Sequence, residues 1–378
     1  MLDVMEKFLV SNFNSSDRLE SPPGSAGMCM SLDTNLTSSE LPSLLSYETR
    51  MFFVIINFMV LCPLVAIFGI FTNIINIVVF TKQGFTETIN ISLLCLAISD
   101  LCGLLPLPWM GIALNPWFSQ TDLPFSVTEM LSPTAGFPHN CFSRITGWIT
   151  ALVALERSLC IAFPLKVKIF MTRTVVICVN VTIFVCMILG ILPLYATAYY
   201  DWKFYPEKNK TLLGILYTEN KDEVQSISLI FTDLIGPLSA FTVVLVSMVV
   251  IRIKLVQKVK WRQTASASSS AMSKGKQLPA KENRVVAMVT IISVIFIICF
   301  TPMSLFLTVR AFMPELSVIG RYANMNWAFL STAFLMESIN SSTNIFIYYN
   351  MSSKFKDTFQ GIFFKRGHKQ ARRRNVLR

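Results

Sequence analysis

Seven runs of mostly apolar residues, each long enough to cross a lipid bilayer, constrain this chain more than any other feature. A spanning helix needs about 20 consecutive apolar residues. The runs lie near 51–80, 88–114, 135–163, 174–199, 225–255, 284–312 and 322–350. A soluble protein with a large core of buried helices would need polar faces between the apolar ones, and the first, fourth and sixth runs have almost none. We therefore predict an all-α membrane protein, a seven-transmembrane helix bundle.

The distribution of Lys and Arg predicts how the bundle is oriented, because positively charged loops tend to stay cytoplasmic. Residues 252–284 carry nine basic residues against one acid, and the tail from Ser352 onward carries nine against one. The first 50 residues hold seven acids and three basic residues. We expect a multi-pass plasma-membrane protein with an extracellular N-terminus and a cytoplasmic C-terminus. Its net charge of +11 then reflects topology and contact with anionic membrane lipids, not nucleic-acid binding.

Composition divides the chain into four segments. Residues 1–48 are rich in Ser, Leu and acids and are predicted to form a disordered extracellular tail. Residues 49–350 form the seven-span bundle, in which 257–280 is a Ser-rich, basic, flexible cytoplasmic loop. Residues 351–364 place Phe and Ile on one face, which predicts a short amphipathic eighth helix on the inner leaflet. Residues 365–378 are a basic cytoplasmic tail.

The loop between the fourth and fifth runs has the pattern of a β-hairpin. In "YYDWKFYPEKNKTLLGILYTENKDE", two stretches of strand-forming residues flank a turn-like centre. We expect an extracellular hairpin that covers the bundle.

Three Asn-x-Ser/Thr sequences on the predicted outer side are candidate glycosylation sites. They are Asn14, Asn35 and Asn209.

Polar residues inside the apolar runs are costly and therefore mark functional sites by default. The cytoplasmic half contains one carboxylate with amide and hydroxyl neighbours. These residues are Asn73, Asp100, Asn340, Ser341 and Asn344. Such a group of oxygens is suited to a hydrated monovalent cation or a hydrogen-bond switch. It is equally suited to polar contacts that only hold helices together, and the residues alone leave both readings open.

Two further charged groups stand at the predicted cytoplasmic helix ends. Glu156 and Arg157 end the third run, and Glu282, the one acid in a basic segment, stands before the sixth. An Arg157–Glu282 ion pair would hold the two helix ends together. The alternative is a solvated helix end with a weak surface pair.

Four ionisable residues from four helices lie toward the outside. They are His139, Asp233, Arg310 and Glu337. Convergent polar groups of this kind predict a shared ligand cavity. The alternative is that some of these side chains extend to the outer membrane interface.

Taken together, these residues resemble the rhodopsin-like family of G-protein-coupled receptors, over about residues 50 to 364. The resemblance rests on many weak motifs in the correct order. They are Asn73, "LAISD" ending at Asp100, "ERS" at 156–158 followed by "AFPL", Pro237, "FIICFTP" at 296–302, "NIFIY" at 344–348, Phe355 seven residues after Tyr348, and Glu282 twenty residues before Pro302.

The resemblance implies roles for several residues. It implies a sodium-ion pocket, in which the ion acts as an allosteric modulator, formed by Asp100, Thr146, Asn340, Ser341 and Asn344. No cofactor is expected. It implies an ionic lock between Arg157 and Glu282, with Leu165 inserting into the G protein. It also implies a switch in which Phe300 packs above Phe296 beneath the ligand, which makes Phe300 the fifth predicted ligand-binding residue. Pro237, Pro302 and Tyr348 complete that switch.

The chain departs from the family pattern at several positions. The Cys expected in span three is Ser132, and no Cys occurs between residues 187 and 298, so the usual disulfide to the second extracellular loop cannot form. No disulfide is therefore expected, and the hairpin must be held by packing or be mobile. At the switch position where the family usually has Trp, this chain has Phe300. In "NIFIY", Ile345 follows Asn344 where Pro is usual.

The same alignment excludes some ligands and favours others. Ser338 stands where a light receptor needs Lys, and His139 stands where an aminergic receptor has Asp. Two acids, Asp233 and Glu337, favour a cationic or amidated peptide, although Arg310 could meet a carboxylate. We therefore expect a neuropeptide receptor that activates heterotrimeric G proteins, with kinases and arrestin as further partners. A chemosensory receptor for small molecules is the alternative, and some phrases resemble invertebrate, especially molluscan, orphan receptors.

Two other functional classes fit the sequence less well. A transporter would show inverted repeats and paired broken helices, and none is visible. An intramembrane enzyme would need metal ligands or a catalytic triad. His139 and His368 are the only histidines, and they lie on opposite predicted sides of the membrane. We expect no catalytic residues.

Overall fold

The computed structural model describes residues 45–364 except 120, 165, 207, 268–279 and 317–320. Most of the predicted N-terminal tail, the middle of the long loop and the basic C-terminal tail lie outside the described residues. Leu165 and the first two candidate glycosylation sites, Asn14 and Asn35, lie outside them as well.

Seven long helices form the bundle, which confirms the predicted fold class. These spans are numbered one to seven in chain order. They are Tyr47–Gln83, Thr88–Ala113, Val127–Ala162, Arg173–Ala196, Glu223–Gln257, Arg284–Arg310 and Ala323–Met351. The helices of spans five and six extend beyond these limits, to Ala267 and from Ala280 to Phe312. Each of the first six is long and apolar enough to cross a membrane.

Span seven is 29 residues long but more polar than the others. Its polar residues are directed into the bundle, and among them Asn326, Ser331, Glu337, Ser338 and Asn344 are buried. The bundle interior supplies hydrogen-bond partners that lipid cannot supply. A polar stripe can therefore exist in a spanning helix, provided that it faces the other spans.

Three spans contain a short segment of wide, π-type turns. The segments are Ile55–Leu61, Ser132–Gly136 and Ile230–Ile235. Each lies beside or contains a proline, namely Pro63, Pro133 and Pro237. A proline has no N–H group to donate, so the helix around it is the place where the bonding pattern changes. No pattern in the sequence predicted these segments.

Span three lies at the centre of the bundle. It contacts spans two, four, five and six. Its residues Ile145, Ile149 and Val153 are fully buried and belong to the largest apolar cluster. Short helices occur in the connections, at Pro116–Ser119, Val167–Phe170 and Pro314–Leu316.

The predicted hairpin between spans four and five is present. Strand β1, Ala198–Tyr205, pairs antiparallel with β2, Lys210–Tyr217. Asn209 lies in the exposed turn with a φ of 47°, and the side chain of this candidate glycosylation site is open to solvent. The end of the bundle that carries the hairpin is called the hairpin end, and the opposite end the tail end.

A short helix, Ser353–Phe363, follows span seven at the tail end. The Ser352 hydroxyl caps it by accepting a bond from the Phe355 amide at 3.2 Å. The Phe355 ring is fully buried and lies 5.4 Å from the Phe80 ring and 5.6 Å from the Tyr348 ring, between ring centres. This aromatic contact fastens the short helix to spans one and seven.

Candidate ligand and signalling sites

A buried carboxylate, Glu337, organises the polar groups nearer the hairpin end. Its Oε2 accepts a bond from the Ser143 hydroxyl at 2.6 Å, and its Oε1 lies 3.3 Å from Arg144 Nη1. The Nε2 of His139 lies 3.5 Å from Oε2. All four side chains are buried. We call these residues the Glu337 cluster.

His139 also binds the backbone of span two. Its Nδ1 lies 2.8 Å from the carbonyl oxygen of Gly103. A carbonyl oxygen only accepts hydrogen bonds, so Nδ1 carries a proton and Nε2 is directed at Glu337. The imidazole therefore connects spans two, three and seven.

Arg144 is the member of this cluster that sequence reasoning missed. It lies within "FSRITGWIT", one residue after Ser143 and near the middle of span three. An arginine inside an apolar span is itself a signal, because the charge is costly in lipid without a partner. Counting every ionisable residue in the seven runs would have found it.

The other predicted ligand residues lie apart from this cluster or cannot be placed. Arg310 is half-buried in the last turn of span six. Asp233 belongs to the Ile230–Ile235 segment, but its side chain lies outside the described part of the structure. Phe300 is buried and packs on Phe296 in span six. Of the five predicted residues, the structure brings His139 and Glu337 together.

Asp100 organises a second polar cluster, farther toward the tail end. The Thr146 hydroxyl donates to its Oδ1 at 2.8 Å, and the Asn344 amide donates to its Oδ2 at 2.8 Å. The Ser99 hydroxyl lies 2.9 Å from that of Thr146. We call these residues the Asp100 cluster. It connects spans two, three and seven, as the Glu337 cluster does.

The remaining predicted pocket residues surround this cluster. Asn73 donates from its amide to the main-chain oxygens of Gly69 at 2.9 Å and Ser341 at 2.8 Å. Asn340 is buried in the same part of span seven. Carboxylate, hydroxyl and amide oxygens are the donors that a hard cation prefers. A carboxylate can accept several bonds at once, so the donor set fits a small cation as well as a purely structural network.

The two clusters are carried by the same pair of helices. Thr146 follows Arg144 by two residues in span three, and Asn344 follows Glu337 by seven in span seven. Seven residues of helix rise about 10 Å. A movement of span three against span seven at one cluster would therefore reach the other.

Near the tail end, Arg157 is bonded to its neighbour in sequence. Its Nη2 lies 2.6 Å from Glu156 Oε1, and the Thr88 hydroxyl donates to the same oxygen. Glu156 is almost completely buried, whereas Arg157 is half-buried. The side chain of Glu282 is not among the described parts, so the Arg157–Glu282 lock stays a prediction.

The predicted switch residues lie in contact with one another or at helix irregularities. The rings of Phe296 and Phe300 stack with 4.4 Å between centres, and Phe296 lies against Gly147 of span three. Pro302 lies inside the helix of span six, and Pro237 lies at the start of the regular helix of span five.

A cavity of about 550 Å³ opens at the tail end between spans one, two, six and seven and the short helix. Phe80 and Tyr348 line it on one side. Arg284 donates to the Ser353 hydroxyl at 2.5 Å at its rim. The tail end of the bundle therefore has a recess beside the aromatic contact that holds the short helix.

Sequence comparisons agree with this geometry. Residues 72–348 match the family described as "7 transmembrane receptor (rhodopsin family)". The chain belongs to this receptor family. A stretch of 189 residues is 25% identical to the type-1 angiotensin II receptors of Meleagris gallopavo and of Gallus gallus, and it covers 49% of this chain and 50% of each relative. The chain thus spans about half the length of the curated relatives it matches.

Membership of the family confirms the predicted receptor class and a multi-pass membrane protein. The family is one of receptors. The resemblance to invertebrate receptors stays a prediction, as do the roles assigned to individual residues.

Proposed function

We propose that this receptor binds an extracellular peptide between the outer halves of its spans and activates a heterotrimeric G protein at its cytoplasmic face. In this proposal the hairpin end faces outward at the plasma membrane. The excess of Lys and Arg in the 252–284 segment and the C-terminal tail supports this orientation. Kinases and arrestin would act on the Ser-rich loop, which carries the hydroxyls that phosphorylation needs.

The single observation that carries the proposal is the Glu337 cluster. A buried carboxylate and a buried guanidinium face each other across spans three and seven at 3.3 Å. A buried ion pair of this kind is sensitive to any group that competes for one partner. A cationic or amidated peptide end would compete with Arg144 for Glu337, and this competition is how binding would change the packing of the two spans.

The Asp100 cluster would pass this change toward the tail end. It lies on the same two spans, and it has hydrogen bonds that change when those spans move. We propose that a sodium ion held by Asp100 and its neighbours favours the inactive arrangement. A coupling free energy of about 1–3 kcal/mol between the two faces is ordinary for such receptors.

Both relatives are angiotensin II receptors by name. That supports a receptor for an extracellular messenger, and at 25% identity over half of the chain it does not carry the ligand over. The peptide class proposed here rests instead on the charges of Arg144 and Glu337 and on the His139 ring beside them.

The test is a screen of neuropeptides and small odorants on cells that express the receptor with promiscuous G proteins. A hit is then repeated with Arg157→Ala, which is expected to abolish G-protein activation while leaving surface expression intact. Arg173→Ala, an exposed arginine at the start of span four, is the matched control and should respond like the wild type. If Arg157→Ala responds as well as the control, the proposed mechanism is wrong.

A further inference from the structure

The hairpin occupies a defined position although it has no cysteine to fasten it. The chain has Ser132 where the family's disulfide would begin, and β1 and β2 contain no Cys. Hydrogen bonds, and not packing alone, join the hairpin to the residues that lead into span three. Ser126 donates its amide to the Leu213 carbonyl at 2.9 Å, and the Leu213 amide donates to the Pro124 carbonyl at 2.8 Å.

One carboxylate at the start of span three bonds to both strands of the hairpin. Glu129 Oε2 accepts from the Ile215 amide at 2.5 Å and lies 3.2 Å from Lys203 Nζ. Its Oε1 accepts from the Tyr205 hydroxyl at 2.8 Å. Lys203 also donates to the Ile215 carbonyl. The set of Glu129, Lys203, Tyr205 and Ile215 is called the Glu129 clamp.

The strand register explains why these groups converge. Lys203 and Tyr205 are two residues apart in β1, so their side chains leave the same face of the hairpin. Gly214 faces the carboxylate from β2, where a Cβ atom would lie 2.8 Å from Glu129 Oε2 and 2.9 Å from Lys203 Cδ. Any larger residue at 214 would push the carboxylate away from the Ile215 amide.

The charges of the clamp are partly shielded from water. The Glu129 and Lys203 side chains are 31% and 29% exposed, whereas the other ion pair of this region, Lys210 with Asp122, is 53% and 79% exposed. A partly buried pair that also accepts a main-chain amide contributes more than an exposed pair, which is typically weak. The Asp122 pair is therefore the natural control for the Glu129 clamp.

We propose that Glu129 is a positioning residue: its carboxylate fixes the hairpin against the start of span three and does the work that a disulfide does elsewhere. The attachment is non-covalent and therefore reversible. On the proposed function, the hairpin lies beside the entrance for the ligand, so the strength of the clamp would set how readily that entrance opens. The position of the hairpin itself does not depend on that function.

Hydrogen–deuterium exchange of the full-length receptor in lipid nanodiscs tests the proposal without a ligand. In Glu129→Ala, the peptide that contains Ile215 is expected to exchange about tenfold faster, because its amide loses the acceptor. Glu129→Gln, which keeps an oxygen acceptor but loses the charge, should give a smaller increase. Asp122→Ala, the exposed control, should exchange like the wild type. Equal exchange of the Ile215 peptide in Glu129→Ala and wild type would overturn the proposal.

If Glu129→Ala does not fold, span-three peptides such as 145–160 will exchange faster than in the wild type. Two further variants test the proposal in that case. Lys203→Ala and Tyr205→Phe each remove one donor from the clamp and lie outside the spans. Each is expected to raise exchange of the Ile215 peptide several-fold with unchanged exchange in the spans. If neither does so, the clamp does not position the hairpin. Glu129→Asp keeps the carboxylate. If its Ile215 peptide exchanges at a rate between those of the wild type and Glu129→Gln, Glu129 has a positional role and the other variants do not merely lose stability.

The exchange experiment and the ligand screen test separate proposals. A negative exchange result would reject the Glu129 clamp but not G-protein activation, because the Arg157 variants test activation separately. A receptor that never responds to a ligand still has a hairpin whose exchange can be measured.

Discussion

Arg144 of span three and Glu337 of span seven form an ion pair inside the bundle, with 3.3 Å between Nη1 and Oε1 and both side chains at most 3% exposed. The two residues are 193 positions apart in the chain. The Ser143 hydroxyl donates to the same carboxylate, and His139 Nε2 lies 3.5 Å from it. The charge of each partner is thus balanced where lipid and water are both excluded.

Replacing Glu337 by Gln should destabilise the receptor strongly. The variant leaves the Arg144 charge buried without its counterion, and breaking a buried pair in this way costs about 3–5 kcal/mol. Thermal unfolding in detergent measures the loss. Glu315→Gln, at an exposed position, is the control and should unfold like the wild type. The double variant Arg144→Met with Glu337→Met should regain most of the lost stability, because no unpaired charge remains. A single variant as stable as the control would show that the pair is unimportant.

Sodium should stabilise the receptor through Asp100. In the wild type, replacing choline by sodium at constant ionic strength is expected to raise the unfolding temperature, because an ion that binds only the folded state stabilises it. Asp100→Asn removes the charge while keeping an oxygen that can accept from Thr146, and it should abolish the sodium effect. The measurement separates the two readings of this cluster. A wild-type receptor insensitive to sodium would leave the Asp100 cluster as a structural network.

Releasing Arg157 from its neighbour should raise basal signalling. Glu156→Gln keeps the acceptor for Thr88 but removes the charge that holds Arg157 at 2.6 Å. We expect basal nucleotide exchange on the G protein to rise several-fold, as for a bistable switch biased by 1–3 kcal/mol. Glu87→Gln removes a more exposed acid, 3.6 Å from Lys354, and serves as the control. Unchanged basal exchange in Glu156→Gln would contradict a restraining role for this pair.

The Arg157–Glu282 lock needs a measurement of its own. Glu282→Ala removes the acid that the family resemblance places opposite Arg157. If the lock exists, basal nucleotide exchange should rise in this variant, and it should rise no further when Glu156→Gln is added, because both act through Arg157. Fully additive effects, or no effect of Glu282→Ala, would exclude the lock and leave the receptor function intact.

The hairpin should lose its attachment at high pH. Burial, followed by the hydrogen bond to Glu129, raises the pKa of Tyr205, and burial and the Glu129 charge raise the pKa of Tyr217. A detached tyrosine ionises near pH 10. Since the pKa values are higher in the folded hairpin, the stabilisation is complete below about pH 10 and is lost as the pH rises toward the folded values.

Tyrosinate absorbance during a pH titration measures this effect. We expect Tyr205→Phe to remove one phase from the part of the wild-type titration above pH 10, and Glu129→Gln to shift that phase to lower pH. Tyr199→Phe, an exposed position on the same strand, is the control and should leave the Tyr205 phase in place. If the Tyr205→Phe and Tyr199→Phe titrations lose the same phase, Tyr205 is not held by Glu129.

The sequence by itself determined the spans, the hairpin and the family. A bilayer requires each spanning helix to be long and apolar, so the seven runs can be recognised in the sequence. The strand-forming stretches on either side of the turn that contains Asn209 predicted the hairpin. The motifs around Asp100 and Arg157 are equally local and led to the correct receptor family.

The tertiary structure alone decided which polar groups meet. Arg144 finds Glu337 across 193 positions, and Glu129 finds the Ile215 amide across 86. Neither pairing leaves a periodic signal in the chain, because a carboxylate can accept from any donor that the fold brings near it. The proline-linked wide turns were also invisible, since proline permits several local geometries and packing selects one. Hydrophobicity is a property of each residue and can be read from the sequence, whereas partnership between charges depends on how the helices are arranged in space.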